Sequence, residues 1–134
     1  MSGINVKFKT GPITFEAEAK VTGGQVVVPG TAARTIKPAA AGAANVLGVA
    51  LTDAAPEGAS TNFVAVPTHA AVATCPAVVP IASDGTAAAG DLVVADADGA
   101  VKKSAGTETV GEIVGRVIEK KSDTANTVLV RLGI

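Results

Sequence analysis

The chain holds one histidine and one cysteine, and any nucleophilic or zinc chemistry would have to begin with them. His69 and Cys75 stand six positions apart. A structural zinc site wants four ligands, so this pair cannot build one. A cysteine nucleophile needs a base and an electropositive setting, whereas Cys75 lies between Thr74 and Pro76 in an apolar run. It reads as a buried structural thiol. A Ser-His-Asp arrangement would have to recruit His69. Ser2, Ser60, Ser83, Ser104 and Ser122 all lie in polar or turn contexts, and none stands in a nucleophile-elbow pattern.

The carboxylates and glycines are no richer in chemistry. Asp96-Ala97-Asp98-Gly99 opens like a calcium loop but lacks the third oxygen-bearing position and the distant glutamate. An Asp-Gly hairpin turn accounts for it, and Asp84-Gly85 reads the same way. Gly23-Gly24 and Gly111-x-x-x-Gly115 are followed by no Gly-Lys-Ser/Thr, so they are not phosphate loops. Glu16 and Glu18 share a strand face with Lys20, which suits a solvated face. A glycosidase-like pair would also need a cleft, and aromatic sugar platforms are absent. The reading is no enzyme, no cofactor and no metal.

Composition points toward contact instead. Of the 134 residues 48% are hydrophobic, yet Trp and Tyr are absent and Phe8, Phe15 and Phe63 are the only aromatics. The apolar content is mostly Ala and Val, which bury little area each at about 25 cal/mol per Å². Only 17% of residues are charged, so apolar surface is left over, and burying it against copies of itself or a larger partner is a natural route to stability. The net charge of −1 and the scattered basic residues show neither a basic stripe nor stacking aromatics, which argues against nucleic acid. The N-terminus lacks the apolar core of a secretory signal. No run approaches the roughly 20 apolar residues of a membrane span. Synthesis in the cytoplasm, with no membrane partner, is the expectation.

The elements that must carry these residues are strands. Ile13, Phe15, Ala17, Ala19 and Val21 alternate with Thr14, Glu16, Glu18 and Lys20, the period of a half-buried strand. Val26-Val27-Val28 follows Gly23-Gly24 and ends at Pro29-Gly30. The Ala-rich stretch 31–45 reads as a loop. Val46 to Leu51 is a short strand, expected to pair with Asn62 to Val66. Val72 to Ile81 is extended, because Pro76 and Pro80 bar a helix and a central ladder position. Leu92 to Ala95, Ala100 to Lys102, Ile113 to Glu119 and Thr127 to Leu132 supply the remaining strands. The fold class is mainly all-β, a small β-barrel or β-sandwich. One short helix is allowed within 31–45 or 104–114.

The strands repeat. Gly24 to Val28, Val46 to Leu51 and Asn62 to Val66 match Gly90 to Val94, Ile113 to Ile118 and Asn126 to Val130 in order and approximate spacing. Gly48 and Gly115 interrupt equivalent strands, where glycine marks a bulge, a bend or close backbone approach. The organisation read from this is a segment 1–12 that is either an N-terminal arm or a first strand. A single domain over 13–134 follows, with an internal repeat at about 21–67 and 88–132.

Val46-Leu47-Gly48-Val49-Ala50-Leu51-Thr52-Asp53, Gly90-Asp91-Leu92-Val93-Val94 with Asp98-Gly99-Ala100-Val101, Ile113-Val114-Gly115-Arg116-Val117-Ile118 and Val128-Leu129-Val130-Arg131-Leu132 together resemble the small capsid decoration proteins of tailed bacteriophages. The resemblance covers roughly residues 20–132. It implies a β-barrel or β-sandwich subunit on the outside of an assembled head, bound to the major capsid protein, often as a homotrimer at local three-fold positions. Such cement proteins reinforce capsomer junctions against internal DNA pressure. An extended terminal arm is typical, and here Ile4, Val6, Lys7, Phe8 and Lys9 are its candidate capsid contacts. Their alternation suits strand addition to a neighbour's sheet edge and equally an ordinary first strand. The function expected is a virion cement protein on the capsid exterior, acting without catalysis. The alternatives are a tail-tube, spike or fibre module of a phage, or a small hydrolase using His69.

Overall fold

All three residues of Val26-Val27-Val28 are buried, although a strand shows alternate side chains to opposite faces. The computed structural model, which describes residues 11–56, 67–74, 76–120 and 126–133, explains this with two sheets that share a wall. Strands β1 (Ile13–Ala17), β2 (Val26–Pro29), β3 (Thr35–Pro38), β4 (Gly48–Ala50) and β5 (His69–Ala73) form a closed barrel in the order β1-β3-β2-β4-β5. Strands β6 (Val78–Ala82), β7 (Leu92–Ala95), β8 (Val101–Lys103), β9 (Ile113–Lys120) and β10 (Thr127–Leu132) form a second sheet, β6-β10-β9-β7-β8. The chain is all-β, as its periodicity implied.

The two sheets have one wiring. In the first, β2 pairs antiparallel with β3 and β4, and β5 pairs antiparallel with β4 and β1. In the second, β7 pairs antiparallel with β8 and β9, and β10 pairs antiparallel with β9 and β6. A parallel β1–β3 ladder closes the barrel. Its counterpart is a single parallel bridge, Ser83 to Val101, extended by a hydrogen bond from Asp84 N to Val101 O at 3.1 Å. Even the register agrees. Val27 faces Gly48 and Val49 faces Ala73, while Val93 faces Gly115 and Arg116 faces Arg131.

Two cores result. Val27, Ile36, Ala50, Ala70 and Val72 fill the first barrel. Val26, Val49 and Ala73 point the other way, into the core lined by Ile81, Val93, Val117 and Val130 of the second sheet. The outer wall of the first barrel is therefore part of the second core, which is why β2 is apolar on both faces.

Two details depart from the reading of the sequence. The stretch 31–45, expected to be a loop, holds β3, whose Ile36 is fully buried; its Pro38 ends the strand rather than preventing it. The antiparallel partners of β4 are β2 and β5 (His69–Ala73), and Asn62 to Val66 lies outside the described residues. No α-helix occurs among the described residues. The helical content there is two one-turn 3-10 segments, Ala97–Gly99 and Val110–Glu112, the second inside the stretch 104–114 where the sequence allows a short helix. Pro80 does sit on an edge strand, β6, as its missing donor requires.

Candidate functional site

The residues able to do chemistry are dispersed. His69 is exposed at the start of β5, across the ladder from Glu16, and its Nδ1 lies 2.9 Å from Thr68 Oγ1. Cys75 lies outside the described residues, as do Ile4, Val6, Lys7, Phe8 and Lys9. Ser83 is buried, and its Oγ accepts from Gly85 N at 3.1 Å. Among the described residues no three His, Cys, Asp or Glu side chains gather closely enough to hold a metal ion, and no helix is long and apolar enough to cross a membrane.

The carboxylates serve turns. Glu18 accepts from the backbone and hydroxyl of Thr31, and those hydrogen bonds hold its carboxyl below the ordinary value. It thereby ties down the β2–β3 connection. Glu108 accepts from Ser104 Oγ at 2.6 Å, Ala105 N at 2.9 Å and Gly106 N at 3.0 Å. These donors, the Ser104 hydroxyl foremost, pull its pKa down to about 2. Both carboxylates are thus committed to local backbone and hydroxyl donors. The Ser104–Glu108 clamp escaped the sequence reading, although serine and glutamate four apart in a small polar loop were its visible signal.

The Asp98-Gly99 turn is a tight hairpin between β7 and β8, with φ of +55° at Asp98 and +72° at Gly99. Its tip docks on the outside of the first barrel. Gly99 N donates to Ala39 O at 2.9 Å, and Gln25 Nε2 donates to Asp98 O at 2.9 Å. Beside this lock a groove of about 730 Å³ runs between the sheets, walled by Gly24, Val49 and Leu51 on one side and by Val79, Pro80 and Ile81 on the other. Leu51 stands at its rim, 44% exposed. Apart from Gln25 and Asp98, the side chains lining it bear no polar group but the hydroxyls of Thr22 and Thr127. Such a surface can hold an apolar or extended partner.

Gly48 and Gly115 are occupied by the fold itself. A Cβ at Gly48 would overlap the carbonyl oxygen of Ala73, and one at Gly115 would overlap that of Arg131. Each glycine admits the neighbouring strand.

A scaffold of two like-wired sheets, with Glu18 and Glu108 committed to turns, agrees with what comparison finds. The family model described as phage cement protein matches residues 6–132. The chain belongs to the phage cement protein family. The match begins at residue 6, within the stretch expected to be an arm or a first strand. The cement protein's fold is also that of the head fiber gp8.5 N base in bacteriophage phi29, with a TM-score of 0.60 at 15% identity over 91% of this chain and 92% of that one. No curated protein matches the chain. The family makes this chain a bacteriophage structural protein.

Proposed function

We propose that this cement protein binds the outside of an assembled phage head, on the major capsid protein, and stabilises the head by binding alone. The observation that carries this is the family match across nearly the whole chain. The apolar inter-sheet groove and the commitment of Glu18 and Glu108 to turns support a contact surface over a catalytic one. A subunit that binds only the intact shell shifts the assembly equilibrium by mass action, about 2.7 kcal/mol per site at a free concentration of 100 Kd. A homotrimer on the capsid would add avidity. The protein acts in the virion, on its exterior, after synthesis in the host cytoplasm.

The test is to add purified protein to heads that lack it and follow their thermal disruption. The expected result is a higher disruption temperature that saturates with occupancy. Heads that melt identically with and without the protein would sink the proposal. His69→Ala should leave the effect intact, because that side chain is exposed and its hydrogen bond among the described residues is to the neighbouring Thr68.

A second reading is the base of a fibre on the head, favoured by the shared fold with the phi29 head fiber base. Electron microscopy of decorated particles separates the two. A projecting rod anchored by this domain supports the fibre, and a flush knob supports the cement role.

A further inference from the structure

The shared register of the two sheets exposes a contrast between equivalent rows. In the first barrel the row Val26–Val49–Ala73 crosses β2, β4 and β5, and every member is buried against the second sheet. The equivalent row in the second sheet is Leu92–Arg116–Arg131, continued onto β6 by Val78. Leu92 is half-buried, and the other three members are exposed, Val78 by 52%. Ile118, in the bulge next along β9, is 48% exposed.

This face sets two like charges directly opposite each other, which destabilises a sheet. Arg116 Nη1 donates to Gly90 O at 2.7 Å, and the ion pair found among the described residues, Lys103 with Asp91, involves neither arginine. Glu119 shares the face, opposite Leu129, and does not pair with either guanidinium. The fold therefore keeps a repulsive arginine pair in an apolar frame of Val78, Leu92, Leu129 and Ile118. Arginine is enriched at protein interfaces, and its planar fork suits carboxylates in bidentate geometry.

We propose that this row is a docking face for a carboxylate-bearing protein surface, occupying the place that the second sheet takes on the first barrel. The partner's carboxylates would relieve the repulsion between the two guanidiniums, while the surrounding aliphatic side chains bury against its apolar atoms. A protein is favoured over nucleic acid because the positive charge is confined to two side chains beside Glu119, whereas a polyphosphate wants a longer basic track. The proposal rests on the capsid-binding reading, with the acidic surface belonging to the shell.

The experiment compares wild type, Arg131→Glu and Lys20→Glu in cosedimentation with heads lacking the protein, at low and high salt. Lys20 is exposed on the first sheet's side of the molecule and serves as the charge-matched control. Arg131→Glu should weaken head binding by about tenfold or more and flatten its salt dependence, with Lys20→Glu unchanged. Its melting temperature should stay level or rise, since Arg116 gains an opposite charge, and this excludes misfolding as the cause of lost binding. Wild-type protein that fails to bind heads overturns the capsid reading itself. Wild type and Arg131→Glu binding equally overturn this face alone. So does an Arg131→Glu effect confined to binding of short duplex DNA, or to self-association measured by sedimentation.

Discussion

Gln25 and Asp98 stand 73 positions apart in the chain and are joined by a hydrogen bond from Gln25 Nε2 to the Asp98 carbonyl oxygen. The contact fixes the tip of the β7–β8 hairpin against the entry of β2. Gly99 is indispensable to it. With φ of +72°, it has a backbone conformation that costs other residues energy, and a Cβ there would lie 2.8 Å from Gln25 Cβ and 3.0 Å from Val26 O.

Gly99→Ala should therefore destabilise the protein by about 2–3 kcal/mol, from strain and the close contact together. Gln25→Ala should cost about 1–2 kcal/mol, because it removes both the bond to Asp98 O and the one that Gln25 Oε1 accepts from Thr22 N. Asp98→Ala should leave the Gln25 contact in place, because a backbone oxygen accepts it. Urea unfolding of the three variants checks the ranking, and a Gly99→Ala protein as stable as wild type would contradict it.

Gly48→Ala and Gly115→Ala meet backbone oxygens of the adjacent strand, which cannot swing aside as a flexible side chain can. Each should cost about 3 kcal/mol, toward the upper end for overpacking. Because the two sites are equivalent in register, their penalties should be similar. A loss at one position and none at the other, read from denaturation midpoints, would deny that equivalence.

Val27 belongs to one core while Val26 and Val28 belong to the other, so the cores share a strand. The protein should then unfold in a single transition despite having two sheets. Ile36→Ala and Ile81→Ala, at the largest fully buried side chain of each core, should each lower stability by about 2–5 kcal/mol. Both should move that same transition in calorimetry. Two separable transitions, each sensitive to one variant, would refute the shared wall.

Glu108 titrates at about 2 because Ser104, Ala105 and Gly106 donate to its carboxylate. The unfolded chain takes up this proton at the ordinary value of 4.5, so between the two values it binds more protons than the folded chain. The clamp's contribution is full above pH 4.5 and is lost as pH falls through about 2. Carboxyl chemical shifts should show Glu108 still ionised at pH 3. Glu108→Gln should loosen residues 104–106 in amide exchange while barely altering unfolding, since the loop is exposed.

Much of this was written along the chain. Period-2 alternation in Ile13–Ala17 and the β-branched runs of β2, β7, β9 and β10 made strands, since such side chains suit a pleated, half-buried surface. Asp98-Gly99 made a hairpin turn, since those types tolerate positive φ. The phrases around Gly48 and Gly115 were enough to suggest the phage cement family. Alternation, however, says which side chains share a face and never which strand lies alongside. That β4 takes β5 as its partner, that β3 arises from an Ala- and Pro-bearing stretch, and that Arg116 stands opposite Arg131 were all decided by long-range pairing. Gln25 carries no local sign of its partner, because the hairpin tip it holds arrives only when the second sheet closes over the first barrel. Composition pointed toward contact, and tertiary structure decided which row is buried in the fold and which stays exposed among the described residues, because only long-range pairing sets one strand beside another.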